Sequence, residues 1–121
     1  MKYQIIKIEV QTSGQIAKFY ADTNKLYKHI TGIFFSVPNQ NSLFGSTISL
    51  KIADEEIFPD DFEAKMITCS EDVTPNERFY KLKTDAEGNI IEGRFTDGGV
   101  TTGVQFPYTA KLYLRLEDKI S

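Results

Sequence analysis

The sequence is poor in the residues on which most small-protein chemistry depends. It has one cysteine, one histidine and no tryptophan in 121 residues. With Cys69 alone no intramolecular disulfide can form, so the chain is not a cysteine-stapled secreted scaffold. No run of lysine or arginine occurs, and the formal net charge is −3. A nucleic-acid backbone needs a concentrated basic face, and that partner class is therefore not expected. The apolar runs are too short to cross a bilayer. The opening stretch from Met1 to Val10 places Lys7 and Glu9 among its apolar residues, which a signal peptide does not do. The expectation is no membrane partner, and synthesis and residence in the cytoplasm unless the protein leaves as part of an assembly. Internal repeats and low-complexity tracts are also missing.

What remains is globular and aromatic. Hydrophobic residues make up 40% and charged residues 26% of the chain, with nine phenylalanines and six tyrosines. A chain of this length forms one domain, residues 1–121, and buries a core without metal or disulfide staples. Aromatic and β-branched residues favour pleated, half-buried surfaces.

The pattern is that of strands. Ile6, Ile8 and Val10 alternate with Lys7 and Glu9, which gives a strand with one buried face. The turn residues Thr12-Ser13-Gly14-Gln15 lead to a second strand, Ile16 to Ala21, expected to pair with the first as a hairpin. Leu26 to Val37 is the most apolar stretch, and its cluster Ile33-Phe34-Phe35-Ser36-Val37 predicts a central strand buried on both faces at its end. Pro38 to Ser42 is a loop. Ile48, Leu50 and Ile52 alternate again, and Ala53-Asp54-Glu55-Glu56 predicts a tight acidic connection into Ile57-Phe58. Phe62 to Cys69 reads as a short strand, or as one helical turn followed by a strand. Arg78 to Lys83 and Ile90 to Phe95 flank Gly88-Asn89 and predict a further hairpin. The last element, Thr109 to Glu117, sets Leu112, Leu114 and Leu116 against Tyr113, Arg115 and Glu117. Strands separated by short turns point to a sandwich or barrel, and the fold class expected is all-β, an antiparallel β-sandwich, of jelly-roll type or another, with at most one short helix.

Each candidate for chemistry lacks a necessary part. The carboxylates Asp54, Glu55, Glu56, Asp60, Asp61 and Glu63 lie close together, but without the ordered spacing of a calcium loop. A charged hairpin tip that discourages edge pairing accounts for them. Asp85-Ala86-Glu87-Gly88-Asn89 resembles part of a calcium loop and lacks its later ligands. Asp97-Gly98-Gly99 to Gly103 has neither the lysine nor the following helix of a phosphate loop. His29 sits in an apolar stretch without an evident nucleophile, and nothing near Cys69 would activate the thiol. No catalytic, metal or cofactor site is expected, and the chain is not read as an enzyme. The loops are the expected contact regions. Asn39, Asn41 and Phe44 in one, and Asp97, Thr101, Thr102, Phe106 and Tyr108 in the other, are the candidate interaction surface. Phe44, Phe106 and Tyr108 are either sugar-stacking aromatics or caps on the core.

Several phrases look familiar as a set: Gly32-Ile33-Phe34-Phe35-Ser36, Gly45 to Ile52, Glu56-Ile57-Phe58-Pro59, Phe62-Glu63-Ala64-Lys65 and Pro107 to Leu114. Together they resemble small uncharacterised proteins encoded by bacteriophages and prophages of gut bacteria. The resemblance implies a jelly-roll-like or sandwich subunit, a capsid-associated or connector protein of the virion that works through protein–protein contacts in several copies. The expected partners are then proteins, as a homo-oligomer or a larger particle. The alternative is a small carbohydrate- or ligand-binding module, and a third possibility is an enzyme whose site is unrecognised.

Overall fold

A computed structural model describes residues 2–38, 45–60, 62–67, 80–86, 88–99, 101 and 103–119. Among these residues are eight strands: β1 (Lys2–Val10), β2 (Ile16–Asp22), β3 (Tyr27–Ser36), β4 (Thr47–Ile52), β5 (Glu55–Phe58), β6 (Tyr80–Asp85), β7 (Ile90–Thr96) and β8 (Tyr108–Lys119). The one helical element among them is a 3-10 turn, Ala64–Ile67. Thr47 and Glu63 form a bridge beside it.

The strands form two antiparallel sheets, ordered β1-β8-β3-β6 (sheet A) and β2-β7-β4-β5 (sheet B). The pairings are nested: β1 with β8, β2 with β7, β3 with β6 and β4 with β5. A long ribbon with its tip at β4–β5, wound over on itself, gives this order. It is the winding of a jelly roll, in which rolling also brings β8 against β3 and β7 against β4.

The inward positions are those the alternation predicts. Ile6, Ile8 and Val10 of β1 and Leu112, Leu114 and Leu116 of β8 line sheet A from within. Ile48, Leu50 and Ile52 of β4 with Ile91 and Phe95 of β7 line sheet B. Phe35 and Phe95 meet across the core with ring centroids 5.1 Å apart. β3 is interior to sheet A, but it is not buried on both faces at its end. Ile33 and Phe35 are buried, whereas Phe34 and Ser36, on the outer side of the sheet, are only half-buried.

Of the three hairpins predicted between neighbouring strands, β4–β5 forms and the other two are corrected. β1 and β2 belong to different sheets, as do β6 and β7. The turn residues are where expected, with Gly14 and Gly88 at positive φ, but they turn a corner between sheets instead of closing a ladder. Thr23 explains how the second corner is held. Its amide and its hydroxyl both donate to the Asn89 carbonyl, at 3.0 and 3.2 Å, so the β2–β3 and β6–β7 connections lie side by side. The acidic connection is also tighter than expected. Only Ala53 and Asp54 form the reversal, and Glu55 and Glu56 already belong to β5. The continuation of Phe62–Cys69 past Ile67 lies outside the described residues.

Candidate interaction surfaces

The loop after β7 is built around a carboxylate. Asp97 is 3% exposed. Its Oδ1 accepts the hydroxyl proton of Tyr108 at 2.6 Å, and its Oδ2 accepts the amides of Gly14 and Gly99 at 2.9 and 3.0 Å. The Asp97 amide donates to the Gln15 carbonyl at 2.9 Å, and the next amide, of Gly98, donates to Ser46 Oγ at 3.0 Å. One side chain thus fastens the β1–β2 corner, the loop after β7 and the start of β8. A buried carboxylate is tolerated because it finds this many donors.

This changes the standing of the predicted loop contacts. Asp97 and Tyr108 are interior, so neither side chain is available to a partner. Phe106 is half-buried and packs on Tyr108 with centroids 5.4 Å apart. It caps the core, joined to Pro107 by a cis peptide bond. Thr101 is exposed. Asn39, Asn41, Phe44 and Thr102 lie outside the described residues, and so does Cys69.

His29 stands on the outer side of β3 between two carboxylates. Its Nδ1 is 3.7 Å from Asp85 and its Nε2 is 3.6 Å from Asp118. Both distances are longer than hydrogen bonds. The acidic segment is interleaved with cations. Asp60 pairs with Arg94, Glu63 lies 3.4 Å from Lys65, and Glu56 is directly opposite Lys51. Among the described residues, no three histidine, cysteine or acidic side chains converge to hold a metal ion.

The outer faces of the two sheets carry further groupings of side chains. On sheet A the register sets Ile5, Tyr113 and Phe34 in one row across β1, β8 and β3. Tyr113 and Phe34 have ring centroids 6.1 Å apart. Tyr3 lies in the adjoining row, opposite Arg115. Tyr3 and Ile5 are 42% and 49% exposed. Beyond the apolar row, Lys7 and Lys111 face each other directly. Like charges in that position repel. Arg115 donates from Nε to Thr31 Oγ and from its guanidinium to the Thr31 carbonyl, both at 3.1 Å. That clamps the bulge where the register of β3 shifts between Ile30 and Gly32.

Sheet B has a depression of about 580 Å³ on its outer face. One row across its floor is Lys18, Arg94 and Ser49, and the next is Tyr20, Glu92, Lys51 and Glu56. Asp60 reaches Arg94 from beyond β5. Gly93 lies between the rows. A Cβ there would sit 2.1 Å from the Ser49 carbonyl oxygen and 2.6 Å from the ring of Phe19, so only glycine lets β7 and β4 approach this closely. Tyr20 rises at the rim, 64% exposed.

Sequence patterning offered the loops, and not these outward positions, as contact regions. The signal that could have found them is a polar alternation (Lys18/Tyr20, Ser49/Lys51, Glu92/Arg94), but it places them together only once the register is known. Comparison with protein-family models, with curated proteins and with solved structures found no match.

Proposed function

We propose that the chain is a structural protein that acts through protein–protein contacts with further copies of itself, without catalysis. The observation that carries the proposal is the row Ile5–Tyr113–Phe34, with Tyr3 beside it, on the outer face of sheet A. Large apolar side chains aligned on three neighbouring strands form a contiguous patch, unlike the scattered exposed residues that are normal on any surface. Its basic margin of Lys7 and Lys111 calls for an acidic counterpart, which the β4–β5 hairpin presents with Asp54 and Glu55. Those two features lie on different sheets, so the contact they favour is head-to-tail, the kind that closes rings or extends arrays. This agrees with the virion role, capsid-associated or connector, that the resemblance to phage-encoded β domains implies. A fold alone would not support it, since jelly rolls host many functions.

Light scattering behind a sizing column tests the proposal at loadings from about 1 to about 500 µM. A multimer is expected at the upper end, and it should weaken with added salt because charged margins contribute. Ile5→Lys on the exposed side of β1 should weaken association at least about tenfold and leave the circular dichroism spectrum unchanged. A protein that stays monomeric over the whole range, or an Ile5→Lys variant that associates as well as the parent, would overturn it.

A further inference from the structure

The depression lies on the outer face of sheet B, across the sandwich from the apolar row of sheet A, and has the composition of a binding site for a neutral, hydroxyl-rich ligand. We propose that it binds an uncharged oligosaccharide. Volume is the first argument: about 580 Å³ falls within the usual range for small-molecule sites, roughly 300–1,000 Å³. Rigidity is the second. Lys18, Tyr20, Ser49, Lys51, Glu92 and Arg94 all project from paired strands, so the backbone that presents them is fixed before a ligand arrives.

Charge then narrows the ligand class. The lining contains the cations Lys18, Lys51 and Arg94 and the anions Glu56, Asp60 and Glu92, interleaved row by row. An anionic ligand such as a phosphate would meet three carboxylates, and a cationic one three basic groups. A hydroxyl both donates and accepts, so a polyol is satisfied by this alternation where an ion is not. Carboxylates accept hydrogen bonds from its hydroxyls, and the ammonium and guanidinium groups donate to its oxygens. Ser49, the smallest side chain of the two rows, keeps the middle of the floor low. The exposed ring of Tyr20 at the rim offers an apolar plane to the C–H face of a sugar ring, the amphipathic use to which surface tyrosines are suited. Of the three aromatics that sequence alone offered for this purpose, Phe106 and Tyr108 pack on the core, and Phe44 lies outside the described residues.

The test is an amide-resolved NMR titration of the whole chain with five neutral oligosaccharides: cellohexaose, laminarihexaose, mannohexaose, xylohexaose and N-acetylchitohexaose, each to about 5 mM. At least one should shift the amides of residues 18–20, 49–51 and 92–94. Tyr20→Ala and, separately, Glu92→Gln should each weaken that binding about tenfold, and Ile5→Lys on the other sheet should leave it unchanged. Absence of shifts with all five sugars would overturn the proposal, as would binding that survives both variants. Shifts confined to sheet A or to the loop after β7 would also overturn it. Inorganic phosphate is the control, and saturable shifts with phosphate at the same amides would replace the saccharide site by an anion site. Since Ile5→Lys tests self-association and the sugars test sheet B, either reading can fail without the other.

Discussion

The side chain of Asp97 accepts hydrogen bonds from three donors brought in by separate stretches of chain: Gly14 in the β1–β2 corner, Gly99 in its own loop, and Tyr108 at the start of β8. Removing it leaves those donors buried or half-buried without their acceptor, which costs more than the net value of the bonds lost. Asp97→Ala should therefore destabilise the fold by about 3 kcal/mol, read as a fall of roughly 10 °C in Tm. Tyr108→Phe removes one donor and should cost about 1 kcal/mol. The double variant should lose less than the sum, because the two share a bond. Chemical denaturation of the three variants measures this. An Asp97→Ala protein within about 0.5 kcal/mol of the parent would show that the clasp contributes nothing. None of this was visible at the sequence level, where Asp97-Gly98-Gly99 has the composition of a mobile, exposed loop. The partners that make Asp97 interior lie 83 residues before it and 11 after it, and no local pattern announces them.

At the scale of elements, the β4–β5 hairpin shows a local rule broken. Ala53 and Asp54 both have positive φ, 52° and 65°. That is the two-residue turn whose twist matches the flanking strands, and its preferred sequence is Asn-Gly. Alanine in this conformation brings its Cβ against the following carbonyl, a cost of about 1 kcal/mol. Ala53 is exposed, and its amide donates to the Ile90 carbonyl at 2.9 Å, a bond that asparagine can keep. The double replacement Ala53→Asn with Asp54→Gly should thus stabilise the protein by about 1 kcal/mol and raise Tm by about 4 °C. An unchanged or lowered Tm would count against the left-handed turn. The absence of an Asn-Gly signal is also why the reversal looked longer in the sequence. Strands were legible throughout wherever one face is buried: Leu112, Leu114 and Leu116 repeat every second residue because the core lies on one side only. Partners were not legible. Alternation says which residues share a face, and a turn signal says that the chain changes direction. Neither says whether the next strand joins the same sheet, and at Gly14 and Gly88 it does not. The same limit hid the sheet B site, since Lys18, Ser49 and Arg94 become neighbours only through pairing across many residues.

For the whole molecule, the consequence of nested pairing is that neither sheet can form or melt alone. The chain passes from sheet A to sheet B and back, and among the described strands β4–β5 is the one consecutive pair that shares a sheet. Unravelling sheet B would pull on β1, β3, β6 and β8 through their connections. It would also expose the inward faces of Ile33, Phe35, Leu112 and Leu114, which are fully buried. Unfolding should accordingly be all-or-none. Far-ultraviolet circular dichroism reports the sheets, and tyrosine fluorescence, unobscured because there is no tryptophan, reports the packing around Tyr27 and Tyr108. The two should give the same urea midpoint. The topology also predicts the rate. β1 and β8 pair from opposite ends of the chain, with Lys2 opposite Leu116, so the closing entropy of a long loop must be met before that ladder rewards it. Refolding followed by stopped-flow fluorescence should take about milliseconds to seconds, as for other sandwiches rich in distant pairings. Two separated midpoints would mean that the sheets are energetically independent. Complete refolding within microseconds would mean that local contacts dominate. Either result would be incompatible with a ribbon whose ends must meet before its core is sealed.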